Sequence, residues 1–218
     1  MQGISSKATA AYSNNMIATK KELRFYIMAD TMMNRGYFKP SIKERLREIL
    51  APDYIMEYLV SMRKYSFYGG VSRTRFLALF NKWRFRRLGL KLGFTIGENV
   101  FGYGLVIPHY GTIVVGHTNR IGNYAVLHTS TCITDNGKVI GDSFYLSTGV
   151  KMTKKVSIGN GVSVGANSLV NKDVPYNNVL IAGMPANVIK DSPVWWEKGD
   201  RYLERVRIVE ALKKELLG

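Results

Sequence analysis

The chain has 218 residues, 31 of them Lys or Arg against 16 Asp or Glu, so it carries a formal charge of +15 at neutral pH and suits an anionic partner. At 46% hydrophobic and 22% charged it is neither a disordered tail nor a membrane span, and no stretch approaches about 18 uninterrupted apolar residues. Its single cysteine, Cys132, excludes an intramolecular disulfide framework and a CxxC metal site, and fits a reducing compartment.

Residues 1–15 lack the apolar run of a secretory leader, so the chain reads as cytosolic and soluble. From there to residue 90 apolar residues recur at helical spacing: Leu23, Ile27, Met28 and Met32, then Leu46, Ile49 and Leu50, then Tyr54, Tyr58, Leu59 and Met62. Pro40-Ser41 precedes IKERLREIL with Glu44 three residues after Ser41, the spacing of a capping box, and Pro52 follows the segment. A helical domain over 1–90 is expected, with these stripes as its core. It holds 17 basic and 6 acidic residues, so most of the excess charge is here. Its last part, Arg73 to Lys91, interleaves basic and aromatic residues and can touch an anionic lipid face or a nucleic acid.

From residue 91 the texture changes. Ile140, Leu146, Met152, Ile158, Val164 and Val170 recur at a strict spacing of six, and Val115, Ile121, Leu127 and Ile133 keep the same period in another phase. The seven-residue step from Ile133 to Ile140 contains Asp135-Asn136-Gly137, a turn signal that accounts for the slip. A period of six suits neither a helix face nor a hairpin ladder. It fits a parallel β-helix with three faces, whose aliphatic residues fill the axis while small residues turn the corners. A sandwich would instead show alternation and turns every 8 to 12 residues or so. Residues 191–218 close the chain with an amphipathic helix carrying Leu203, Val206, Ile208, Leu212 and Leu216, suited to packing on a neighbouring subunit.

The repeats over 91–190, with GLVIPHYGTIVVG from Gly104 to Gly116 and AGMPANVIK from Ala182 to Lys190, resemble the left-handed β-helix acyltransferases of the hexapeptide superfamily, in their serine O-acetyltransferase-like branch. The helical region resembles it loosely, through ADTMMNRG at Ala29 to Gly36. The fold implied is mainly β: a left-handed parallel β-helix preceded by a helical domain and followed by a C-terminal helix. The resemblance implies acetyl-CoA as co-substrate, no permanently bound cofactor, no metal, and a homotrimer with active sites between adjacent β-helices.

By the same resemblance His109 is the general base that deprotonates the acceptor hydroxyl. A histidine suits that task, because a base with a pKa near 6.5 is free at neutral pH yet accepts a proton in the transition state. His128, about one coil later, and Glu98, the only acid between Lys91 and His109, are the further catalytic candidates. His117 reads as a surface residue. Asp30, Arg35 and Tyr110 are candidates for holding the acceptor. By the resemblance the coenzyme A groove maps onto Thr148, Gly149, Gly165, Ala166, Lys172 and Lys190, while Lys151, Lys154 and Lys155 form a basic cluster that serves either the phosphates or a solvated face.

Four departures bear on the acceptor. Carboxylates of the serine-specific pattern are replaced by Pro108, Phe94 and Gly36, and its histidine-bearing loop shrinks to Thr134–Lys138. Those acids would pair with the ammonium of an amino acid. The expected activity is therefore O-acetylation of a sugar hydroxyl in surface polysaccharide or lipopolysaccharide assembly, closest to the capsule and polysaccharide O-acetyltransferases. The acceptor is then a sugar or glycan, with peripheral contact at the inner membrane face or to a lipid-linked glycan. The alternatives are serine O-acetylation in cysteine biosynthesis and a non-catalytic basic binding module; a nucleic-acid partner is not expected, since no nucleic-acid motif appears.

Overall fold

The computed structural model describes residues 15–70 and 74–218, so the expectation of no leader, which rests mainly on residues 1–14, lies outside the described residues, as does Arg73. Four helices come first: α1 (Lys20–Arg35), α2 (Ile42–Leu50), α3 (Tyr54–Gly69) and α4 (Arg75–Leu92). Two start as the sequence predicts or better. Ser41 and Glu44 form the expected capping box on α2, and Thr19 with Glu22 forms another on α1. A left-handed glycine, Gly36, ends α1, and another, Gly93, ends α4.

The stripes of α1 and α3 are core: Tyr58, Leu59 and Met62 are buried, and so are Leu23 and Met32. The stripe of α2 is not. Leu46, Ile49 and Leu50 face solvent, and α2 buries no residue at all, a correction to the expectation that its apolar face enters the core. Its periodicity marks a helix, but among the described residues no other element covers it.

The parallel β-helix begins immediately after α4. Its first face stacks β1 (Phe94–Ile96), β2 (Ile113–Val115), β5 (Thr131–Ile133), β8 (Lys151–Met152) and β11 (Leu169–Val170). The second stacks β3 (Arg120–Ile121), β6 (Val139–Ile140) and β9 (Ser157–Ile158). The third stacks β4 (Val126–Leu127), β7 (Tyr145–Leu146), β10 (Ser163–Val164) and β12 (Val179–Gly183), and antiparallel β13 (Ala186–Asp191) closes it. The register pairs like with like down each face, as in Val115 with Ile133 and Leu127 with Leu146. All ten residues of the six-spaced series are buried, so the period is the axis of the helix.

Two packing contacts help tie the helical region to the β-helix. Gly89 lets α4 lie directly against β1: a Cβ there would sit 2.8 Å from the Phe94 carbonyl oxygen. Because that neighbour is backbone and cannot swing aside, Gly89→Ala is expected to lower stability by about 1–3 kcal/mol, read as a fall in the urea midpoint. The second tie is the C-terminal helix α5 (Asp200–Leu217), whose Val206, Val209 and Leu212 pack with Phe25, Ala29 and Met33 of α1. Val206 and Leu212, two of the residues expected to meet a neighbouring subunit, are thus used within their own chain. Trp195 and Trp196, in the short turn of helix before α5, donate to the Tyr124 carbonyl and the Ser143 hydroxyl, each at 2.9 Å, and fix α5 to the third face.

Candidate active site

His109 sits on the edge where the third face turns into the first. Val106 bridges in parallel to Val126, so the segment through His109 stacks on the coil that carries His128. The imidazole of His109 is exposed, and its ring centroid lies 6.4 Å from that of His128. Gly111, at φ 139, supplies the turn that follows, a backbone conformation side chains rarely adopt.

The segment that delivers His109 is clamped from α1. Asn34 donates from Nδ2 to the Leu105 carbonyl at 2.8 Å and accepts from the Ile107 N–H at 3.2 Å. One turn earlier, Asp30 accepts the Leu105 N–H at 3.0 Å. Asp30 is itself held by Arg63, whose Nε and Nη2 donate to its two oxygens at 2.8 and 3.2 Å in a fully buried pair. Burial pushes the Asp30 carboxyl above the usual range, while the guanidinium and the backbone N–H groups pull it back. Arg63 also donates to the Phe101 and Gly102 carbonyls. Asp30, expected to touch the acceptor, is instead consumed by Arg63 and the backbone beneath His109. Arg35, its expected companion, pairs with Glu48 at 2.7 Å and Asp53 at 3.0 Å near α2 and α3.

His128 is half-buried, and its Nε2 lies 2.8 Å from the Tyr145 hydroxyl. Burial first, then the neighbouring His109, holds its pKa below the ordinary histidine value, while burial pushes the Tyr145 phenol up. Near neutral pH His128 is therefore an uncharged imidazole paired with a neutral phenol. The sign for stability follows. As pH falls through about 6.5 the unfolded chain takes up a proton at this histidine before the folded one does, so stability present above that pH is lost as pH drops through the folded value. The His128→Asn variant is expected to show a flatter fall of Tm on acidification than the parent, measured by circular dichroism.

Below His109 the same edge is built of small residues. The Gly149 N–H donates to the Thr129 carbonyl at 3.1 Å, and the Asn167 N–H to the Thr148 carbonyl at 2.9 Å, so Thr129, Thr148 and Ala166 stack in successive coils. The edge turns through left-handed residues Ser130, Gly149 and Asn167. Thr148, Gly149, Gly165 and Ala166, read from the sequence as groove residues, therefore share one edge with His109 and His128. Lys172 does not join them; it follows β11 on the first face and donates to Asn187 at 2.6 Å. Lys190 lies exposed on β13, opposite Leu180. Tyr110, next to His109, is exposed.

Glu98 lies on a different edge, between the first and second faces, and does not orient His109. Ile96, Val115 and Ile133 are paired neighbours, so Glu98, His117 and Asp135, two residues beyond each, stack together. There His117 Nδ1 lies 2.6 Å from Asp135 Oδ2, and both line a cleft between α4 and the first face with a volume of about 810 Å³. The shortened loop after Ile133 is pinned by Lys138, which is buried and donates to the Thr134 carbonyl and hydroxyl and to Asn136. Sequence reasoning missed Asn34, Arg63, Tyr145 and Lys138. A signal existed only for Arg63, a lone cation inside an otherwise apolar helical stripe. Among the described residues no group of three or more His, Cys, Asp or Glu side chains could hold a metal ion.

No family model matches the chain. It is 30% identical over 100 residues to a serine acetyltransferase of Synechococcus elongatus, covering 43% of this chain and 41% of that one. With the serine acetyltransferase of Bacillus pumilus it shares 29% over 140 residues, 56% of this chain and 62% of the relative. With serine acetyltransferase 2 of Arabidopsis thaliana it shares 38% over 96 residues, 41% and 29%. The chain thus spans 41% of the length of the first of these relatives and 62% of the second. Among solved structures, the Neisseria gonorrhoeae serine acetyltransferase superposes with a TM-score of 0.57 at 23% identity, covering 79% of this chain and 67% of that one. The Brucella abortus enzyme gives 0.58 at 21% identity, covering 79% and 69%, and a serine acetyltransferase complexed with CoA gives 0.54 at 20%, covering 78% and 69%. At these identities the likeness establishes the fold: a left-handed β-helix of hexapeptide coils with helices before and after it.

Proposed function

We propose that the chain is an acetyl-CoA-dependent O-acetyltransferase in which His109 is the general base. The observation that carries this reading is the exposed imidazole at the head of an edge lined by Thr129, Thr148 and Ala166, small side chains that leave room for a pantetheine arm. His109 takes the proton of the acceptor hydroxyl as its oxygen attacks the thioester carbonyl. The tetrahedral adduct then collapses, the C–S bond breaks, and the proton passes to the departing thiolate. No covalent acyl-enzyme is needed. His128, held neutral and fixed by Tyr145, presents a polar group beside the base without adding a competing positive charge.

For the acceptor, the named relatives are serine acetyltransferases, which supports L-serine and cysteine biosynthesis over the polysaccharide branch expected from the sequence. One observation favours a second reading, a sugar hydroxyl. Phe94 is a core residue packed edge-on against Tyr58, Pro108 precedes the base, and Asp30 is spent on Arg63, so these positions offer an ammonium no carboxylate. Release of free thiol from acetyl-CoA, followed with L-serine and separately with nucleotide-linked sugars, decides between them. A homotrimer with the groove completed by a neighbour is part of the proposal, and so is a cytoplasmic location. Among the described residues no helix is long and apolar enough to cross a membrane.

His128 and Tyr145 give a finer expectation. The Tyr145→Phe variant removes the hydrogen bond but keeps the ring, so kcat is expected to fall about three- to tenfold with the fold intact, measured by thiol release.

A further inference from the structure

The outward side of α4 has no role in acetyl transfer. Phe76, Leu79, Phe80, Trp83 and Leu90 recur at helical spacing on one face and are 80%, 66%, 47%, 55% and 87% exposed. The opposite face, through Phe85, Leu88 and Leu92, is buried, so α4 is apolar on both sides and, among the described residues, only one of them is covered. Single exposed apolar residues are ordinary, but five in register on one helix are a surface.

Charge says what that surface faces. The eighteen residues of α4 hold Arg75, Lys82, Arg84, Arg86, Arg87 and Lys91 and no acid. Arg84 is paired with Glu57, but Arg75, Arg86, Arg87 and Lys91 are exposed along the stripe, and the Arg87 guanidinium lies 5.3 Å from the Trp83 ring centroid. A symmetric contact with a second copy would set these cations against themselves. A polynucleotide would meet the cations but leave Phe76 and Leu79 against its charged backbone. An anionic bilayer satisfies both: phosphates for the arginines, and the acyl boundary for the aromatic and aliphatic tips. On α2 the exposed Ile42, Leu46, Ile49 and Leu50 sit among bases and acids alike, so that stripe expresses no such preference.

We infer that α4 docks this protein peripherally on an anionic lipid surface, its Phe76–Leu90 stripe lying in the interface plane. The inference is independent of the acetyl acceptor. Full-length protein is spun with vesicles of phosphatidylcholine containing phosphatidylglycerol, and with phosphatidylcholine alone. It is expected to pellet only with the anionic vesicles and to be released by high salt. Tryptophan emission is expected to shift to the blue on binding, a shift lost in Trp83→Phe. Phe76→Ser/Phe80→Ser and Arg86→Glu/Arg87→Glu are each expected to cut partitioning at least about tenfold with unchanged melting, since all four side chains are solvent-facing. The inference is overturned if the protein does not pellet with anionic vesicles, or if both variants pellet like the parent. It is equally overturned if Trp83 in lipid-free protein is already shielded from an aqueous quencher and the particle mass drops in Phe76→Ser/Phe80→Ser, because a second copy then covers the stripe.

Discussion

Replacing His109 with alanine is expected to lower kcat for acetyl transfer by about 10²- to 10⁴-fold, the usual contribution of a positioned general base, with Tm little changed. The stability half follows from exposure: the imidazole is solvent-facing and supports no core contact. The activity half follows from the acceptor, because a hydroxyl that must shed its proton while attacking a thioester has no other exposed imidazole on this edge. His128 does not substitute, being half-buried, engaged with Tyr145 and depressed in basicity by burial. The measurement is thiol release from acetyl-CoA under saturating acceptor. Activity of His109→Ala within a factor of two or so of the parent would remove this residue from the chemistry, and attention would pass to His117, which already has its carboxylate in Asp135.

Removing Arg63 is expected to have the largest effect on stability. In Arg63→Met the Asp30 carboxylate stays fully buried with its guanidinium gone, and the Phe101 and Gly102 carbonyls lose their donor, a loss of about 3–5 kcal/mol. The urea midpoint should fall accordingly. The double variant Asp30→Leu/Arg63→Met removes both charges, so it should recover part of that loss. A double variant no more stable than the single one would mean that the backbone contacts of Arg63, rather than its pairing with Asp30, dominate. Catalysis should suffer as well, since this pair and Asn34 hold the Leu105–Ile107 segment that leads into His109.

The solenoid was legible because its repeat is a property of chain order: every sixth residue must be apolar whatever surrounds it, and each residue of the series is buried. The stacking of His128 beside His109 was legible for the same reason, as coils of constant length bring fixed offsets together, whereas Thr148 and Ala166 came only from the resemblance. Contacts between the helices and the solenoid were not. Asp30 read as an acid reaching the acceptor from the helical domain, yet its partner is 33 residues away, and Asn34 meets the Leu105 backbone across 71. Glu98 was assigned by proximity in sequence, whereas a three-sided coil places residues eleven apart on different edges. The α2 stripe had the right period, but period alone does not say whether anything arrives to cover it.

The antiparallel β13 bears on how these molecules coexist at high concentration. Each parallel coil offers its unsatisfied amides and carbonyls to whatever comes next, and a bare terminal rung would recruit a neighbour's and propagate into fibrils. By folding back on β12, from Val179↔Asp191 to Gly183↔Ala186, the chain spends that valency on itself and ends the stack on the face that carries the histidine edge. At the opposite end α4 leads directly into β1 through Gly93, and its buried side lies against the first rung. Growth along the axis is thus opposed at the first rung by α4 and, on the third face, at the last rung by β13, both parts of the same polypeptide that builds it.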